Sequence, residues 1–163
     1  MQIKSVGVIG AGTMGNGIAQ VFAATGFQVV LQDLAEEALQ RGVATVTKSL
    51  DRLLKKEKIS EQQKADTLAN IRTVTDMNEL AGVDLVVEAA IEDRDIKSDI
   101  FRKLDQICKP EAILASNTSS ISLTHIASVT GRSDKVIGMH FMNPVPMMKL
   151  VEIVRALQTS DQV

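Results

Sequence analysis

The chain has 163 residues, 45% of them hydrophobic, and a net charge of −2, enough for one domain with a proper core and too little for two large ones. Basic residues are interspersed with acids, so there is no nucleic-acid footprint, and with no Trp or Tyr and only four Phe base stacking is nearly excluded. The longest apolar runs, such as Val83 to Ile91, are broken by Asp84 and Glu88 and fall short of a bilayer span.

Val6-Gly7-Val8-Ile9 predicts a first strand, and Gly10-Ala11-Gly12-Thr13-Met14-Gly15 follows it at once. In such a run Gly10 permits the tight turn, Gly12 lets a pyrophosphate approach the backbone, and Gly15 lets the next helix lie close to the sheet. The N-terminus of that helix, at Thr13 and Met14, offers unpaired amides and a positive dipole end to phosphates. Glycine spacing alone is a weak signal, and its context gives it weight. Met14 to Thr25 predicts a helix with Ile18, Val21 and Phe22 on one face and Gly26 as its stop, and Gln28 to Asp33 predicts the next strand. Asp33 stands eighteen positions after Gly15, where a carboxylate accepts the adenosine ribose hydroxyls and repels a 2′-phosphate, so NAD is expected rather than NADP. No Lys or Arg occurs from residue 32 to 40 to neutralise such a phosphate.

Strand and helix keep alternating, which predicts an α/β protein of the doubly wound, mostly parallel, Rossmann type. Ala35 to Lys58 predicts a long helix with Leu39, Val43, Val46, Leu50 and Leu53 at helical spacing, and Ser60-Glu61-Gln62-Gln63 is a capping box for a second one. The pair is expected to project from the sheet as a helical hairpin over about residues 35–70, long for a crossover. Ile71 to Thr75, Asp84 to Ala90 and Ile113 to Ser116 predict further strands, with a short helix capped by Asp76 between the first two. Arg94 to Ile107 predicts a helix whose stripe is Ile96, Ile100, Leu104 and Ile107, stopped by Pro110. Cys108, the single cysteine, falls at that helix end and reads as a structural thiol in a reducing cytoplasm. Residues 1–9 lead straight into the first strand, which leaves no room for a signal peptide. Ser122 caps a helix to Val129, and Lys135–Phe141 and Lys149–Val154 complete the strands, so that residues 1–163 are expected to form one nucleotide-binding domain.

In an open α/β sheet ligands lie beyond the carboxyl ends of the strands, which places Gly10–Gly15, Glu88–Lys97, Ala115–Ser120 and Gly138–Pro146 along one edge. Asn117, Ser119 and Asn143 supply hydrogen-bonding groups there. An antiparallel return through Asn143-Pro144-Val145-Pro146 would bring Glu152 beside His140. Alcohol oxidation needs a base for the hydroxyl proton, a task suited to histidine, with a carboxylate to fix its tautomer. Spacing alone leaves two readings open, this pair or a satisfied core histidine with a solvated glutamate. His125, in the helix after Ser122, reads as a surface residue.

The runs Leu114-Ala115-Ser116-Asn117-Thr118-Ser119-Ser120 and Ile137-Gly138-Met139-His140-Phe141-Met142-Asn143-Pro144-Val145-Pro146-Met147-Met148-Lys149-Leu150-Val151-Glu152, with Val86-Val87-Glu88-Ala89-Ala90, resemble the L-3-hydroxyacyl-CoA dehydrogenase family, closest to the short-chain bacterial 3-hydroxybutyryl-CoA members. The resemblance covers essentially the whole chain. It implies NAD-dependent, reversible oxidation of a 3-hydroxyacyl-CoA to the 3-ketoacyl-CoA, with His140 as base, Glu152 as its partner and Ser119 on the substrate oxygen. The cofactor positions it implies are Gly10, Gly12, Thr13, Met14, Gly15, Asp33, Ala90, Glu92, Lys97, Asn117, Ser119 and Asn143, with no metal. Ser49 and Lys56, on the helical hairpin, match positions that contact the coenzyme A moiety. For Lys55 to Lys58 a solvated charged face stands equally beside phosphate binding. The resemblance also implies a C-terminal helical domain, beyond residue 163, that closes the site and joins subunits into a homo-oligomer; a chain without it is expected to bind NAD and turn over poorly. A non-catalytic NAD-binding module and a related 3-hydroxy-acid dehydrogenase remain as alternatives.

Overall fold

The strands place apolar side chains on both faces with the period of two that a doubly covered sheet requires. Val6 and Val8 of β1 (Ser5–Ile9), Val29 and Leu31 of β2 (Gln28–Gln32), Leu85 and Val87 of β4 (Leu85–Glu88) and Ile113 and Ala115 of β5 (Ile113–Ser116) pack into one core. Ile9, Val30, Val86 and Leu114, one position out of phase on the same strands, pack into the other. The computed structural model describes residues 2–163, and its sheet runs in the order β3-β2-β1-β4-β5-β6-β7, with β3 (Ile71–Val74) and β6 (Val136–Phe141) parallel to the others and β7 (Val151–Arg155) antiparallel at the edge. Chain order reverses between β1 and β4, and that switch point opens the ligand crevice.

Helix α1 (Thr13–Ala24) lies on the first face and buries Ile18 and Ala19 completely, of which the Ile18 side chain contributes about 1.5–3 kcal/mol. Gly26, at φ +94, carries the chain out of it. Helix α2 (Glu36–Lys55) ends three residues before the predicted limit, and α3 (Glu61–Ala69) opens on the capping box: Ser60 Oγ accepts from Gln63 N at 3.1 Å while Gln63 Oε1 accepts from Ser60 N at 2.8 Å. Both helices pack against α1, so the pair leans back on the domain instead of projecting freely from the sheet. Asp76 caps a single 3₁₀ turn, Met77–Leu80, where a short helix was expected.

The opposite face carries α4 (Arg94–Ile107) and α5 (Leu123–Ser128). Of the stripe expected on α4, Leu104 is fully buried and Ile100 packs against the core, but its N-terminal end departs from expectation. Lys97, Ser98, Phe101 and Leu104 are buried, whereas Ile96 is 44% exposed. Lys97 turns inward to meet a buried carboxylate, and that rotates the helix about its axis. No helix among the described residues is long and apolar enough to cross a membrane.

Candidate active site

The β1–α1 turn shows why its glycines are there. Gly10 sits at φ +95 and donates its N–H to Gln32 O at 2.8 Å, locking the turn to β2. A Cβ on Gly15 would lie 1.6 Å from Gly10 O, so any side chain there would drive α1 off the turn. At Gly12 a Cβ would meet no protein atom within 4 Å, and the fold itself asks nothing of that position. Gly12 is also the N-cap of α1, with no capping side chain and no acidic residue in the first turn. The Thr13 and Met14 amides thus face outward without an intrahelical partner, the arrangement that holds a phosphate. Asp33 stands at the rim, where Oδ2 accepts from Ala11 N at 2.9 Å and Oδ1 from Ala35 N at 3.2 Å.

Beside Asp33 lies a hollow of about 470 Å³ lined by Gly10, Leu34, Ala90, Ile91, Ile96 and Lys103. Leu34 and Ile91 are 87% and 68% exposed and give this hollow an apolar wall. Ile91 and Ile96 fall within the Glu88–Lys97 segment expected at the ligand edge, but neither was singled out, and Ile96 was assigned to the core stripe of α4. Lys103, a cation brought in from α4, was missed as well, being invisible to a search limited to residues 32–40.

The pair His140 and Glu152 lies across the crevice. In the antiparallel register His140 faces Glu152, and His140 Nδ1 meets Glu152 Oε2 at 2.9 Å. With Nδ1–H as donor, Nε2 is left as an acceptor. Ser119 shares with this pair a hollow of about 260 Å³. Asn117 is held by its own carbonyl, Oδ1 accepting from Phe141 N at 2.9 Å, so its amide NH₂ is the group left for a ligand. Asn143 lines a different hollow, of about 220 Å³, with Thr13, Ser49, Arg52 and Lys56. Ser49 Oγ accepts there from Gln20 Nε2 at 3.0 Å. Ser49 and Arg52 on α2 and Lys56, which caps its C-terminus, stand at i, i+3 and i+7 and line one hollow, which makes Arg52 a third member of that set.

Lys97 is 1% exposed and its ammonium is fully engaged, with Glu88 Oε2 at 2.6 Å, Ala90 O at 3.2 Å and Glu92 Oε2 at 3.4 Å. Glu92 therefore presents the carboxylate to the crevice, with Lys97 beneath it. Partial burial opposes ionisation of Glu92, but hydrogen bonds from Thr118 and Ser120 and the Lys97 charge together hold its carboxyl below the ordinary value. Cys108 is buried at the end of α4 and its thiol is pushed up to about 11 by that burial, which suits packing and not nucleophilic attack. His125 is exposed and sits 3.4 Å from Ser98 Oγ, outside the crevice.

A mostly parallel sheet wound on both sides, a glycine turn with an open phosphate cradle and an acidic rim define a dinucleotide-binding domain of the dehydrogenase type. Residues 5–163 match the family model described as 3-hydroxyacyl-CoA dehydrogenase, NAD binding domain, and the chain belongs to that family. It is 49% identical over 159 residues to a 3-hydroxybutyryl-CoA dehydrogenase of Bradyrhizobium diazoefficiens, an alignment covering 98% of this chain and 54% of that protein. The crystal structure of (S)-3-hydroxybutyryl-CoA dehydrogenase from Ralstonia eutropha superposes with a TM-score of 0.97 at 55% identity, over 99% of this chain and 57% of that one. A 3-hydroxybutyryl-CoA dehydrogenase of Clostridioides difficile is 49% identical over 94% of this chain and 54% of its own length. The chain thus spans a little over half the length of the curated relatives it matches. NAD is the cofactor of the domain, and the open Gly12 cradle, the uncapped amides and the Asp33 rim fit it.

Proposed function

We propose that this domain serves the reversible oxidation of a short-chain (S)-3-hydroxyacyl-CoA, such as 3-hydroxybutyryl-CoA, to the 3-ketoacyl-CoA. NAD, when bound, supplies the hydride acceptor. His140 takes the hydroxyl proton of the substrate on Nε2 and returns it in the reverse direction. Glu152 holds Nδ1–H, which fixes the tautomer and stabilises the imidazolium that forms. The Ser119 hydroxyl donates to the substrate oxygen and keeps it against Nε2, a positioning effect. Glu92, Ala90 and the Asn117 amide line the path of the nicotinamide ribose, and Ser49, Arg52 and Lys56 receive the coenzyme A moiety through their hydroxyl and cationic groups. The same reading makes the enzyme cytoplasmic and, at the full length of its relatives, a homo-oligomer joined through a C-terminal helical domain.

The observation that carries the reading is the 2.9 Å contact of His140 with Glu152 across from Ser119. A core histidine would be enclosed, whereas this imidazole opens on a hollow. The test is single-turnover oxidation of NADH by acetoacetyl-CoA with protein in excess. His140→Ala is expected to slow the reaction at least about 10²-fold while the Kd for NADH stays within about twofold. Equal loss of both would make His140 a structural residue and overturn the assignment.

A further inference from the structure

Beneath the loops assigned to the nicotinamide end lies one buried carboxylate with no role in the mechanism above. Glu88, the last residue of β4, is 0% exposed. Its Oε2 accepts from Lys97 Nζ at 2.6 Å and from Ala90 N at 2.7 Å, and its Oε1 accepts from Ser116 Oγ at 2.7 Å. Its main-chain carbonyl accepts from Asn117 N at 2.8 Å. Ser116 Oγ in turn accepts from Thr118 N at 3.2 Å. From Lys97 the chain of contacts continues to Glu92, whose Oε1 accepts from the Thr118 hydroxyl and from Ser120 Oγ at 3.1 Å. A closed polar ring, Ser116–Glu88–Lys97–Glu92–Thr118, therefore encircles the base of the loop that carries Asn117 and Ser119.

We propose that Glu88 is a positioning residue of the nicotinamide end, which through Ser116 and Lys97 sets the loop of Asn117 and Ser119 and the carboxylate of Glu92. This rests on the cofactor and substrate reading above. The cost of burying a carboxylate supports it. A buried ion pair gives little net stability over an apolar pair of the same volume, so a merely structural role offers no advantage at the end of a strand that is otherwise Leu-Val-Val. What the pair provides is geometry. Every oxygen of Glu88 and all the contacts of Lys97 are used inside the protein, and each holds a different segment of the crevice wall. Lys97 acts on the cofactor end from below, through Glu92 and Ala90.

The test uses the 163-residue chain and compares NADH with ADP, which occupies only the adenosine and phosphate end. Ser116→Ala removes one strut and no charge. It is expected to raise the Kd for NADH about five- to tenfold and to leave the Kd for ADP within twofold, with Tm lowered by only a few degrees. Glu88→Gln, which keeps the shape and loses the charge, is expected to raise the NADH Kd further, with a smaller rise for ADP through the lost Ala90 contact. If Ser116→Ala leaves NADH binding unchanged, or weakens NADH and ADP equally, Glu88 is a structural residue and the proposal fails. Should Glu88→Gln not fold, the Ser116→Ala comparison still decides. Loss of the cofactor reading itself would show differently, as a wild-type chain that binds ADP and NADH alike.

Discussion

At the scale of single residues the glycine turn meets two separate demands, one from the protein and one from the ligand. Gly15 is required by the protein, because its Cβ would collide with Gly10 O. Gly12 is required by the ligand, because its Cβ would meet no protein atom and would stand where a pyrophosphate approaches the helix N-terminus. Gly15→Ala is accordingly expected to destabilise the fold by about 3 kcal/mol or more, at or above the upper end of the overpacking range, because the clash is with backbone. Gly12→Ala is expected to keep stability within about 1 kcal/mol of wild type, since its φ of −69 suits alanine, and yet to raise the NADH Kd at least tenfold. Urea unfolding and fluorescence titration on the two variants check this, and similar effects at both positions would contradict it. Both the motif and this division were legible in the sequence; the coordinates add its size, a 1.6 Å collision at Gly15 against open space at Gly12. Spacing did not settle His140 and Glu152, for a strand pair slipped by one residue would send the two side chains to opposite faces.

Among the elements, helix α4 is where sequence and structure part. An apolar stripe through Ile96, Ile100, Leu104 and Ile107 follows hydropathy correctly, but hydropathy assigns no value to a buried ion pair. Glu88 drew Lys97 inward, Phe101 took the core position, and Ile96 was released to the wall of the adenosine-side hollow. The strand boundaries, by contrast, were legible to within two residues, because the sheet is covered on both sides and its strands are short apolar runs between turn signals. A second carboxylate secures the N-terminal strand. Asp84 accepts from Lys109 Nζ at 2.5 Å, from Lys4 N and Ser5 N at 2.8 and 2.9 Å, and from Ser5 Oγ at 3.0 Å. The Lys109 ammonium first, then the two amides, hold its carboxyl far below the usual range against the opposing effect of burial. A lowered folded-state pKa stabilises above the ordinary aspartate value near pH 4 and ceases to do so as the pH falls toward the folded-state value. Asp84→Asn is therefore expected to cost about 1.5–3 kcal/mol at pH 7, the worth of charge-assisted hydrogen bonds. Urea unfolding should show that difference shrinking progressively below about pH 4, and a cost independent of pH would assign it to packing instead.

For the molecule as a whole, the two halves of the crevice differ in how completely these residues enclose them. The phosphate cradle and the Asp33 rim are built from β1, α1 and β2, all within the sheet and its first covering helix. The proposed chemistry sits at the other end, on the antiparallel edge pair β6–β7, where Glu152 and Ser119 are exposed and Ile153, Val154, Leu150 and Met147 present uncovered apolar surface beside them. Hydride and proton transfer depend on an oriented substrate and on exclusion of water, and a misplacement of about 1 Å costs about 10²-fold in rate. Cofactor affinity and turnover should thus separate in the 163-residue chain. NADH is expected to bind, because every group of the cradle is present and internally braced. Steady-state reduction of acetoacetyl-CoA is expected to run at no more than about 1% of the rate of a relative of full length, assayed side by side, since His140 has its orienting carboxylate but, among the described residues, no wall opposite to hold a substrate against it. Turnover close to that of the relative would mean that the β6–β7 edge and the Ser119 loop suffice to orient the substrate, and failure to bind NADH would mean that the cradle depends on contacts beyond β1, α1 and β2.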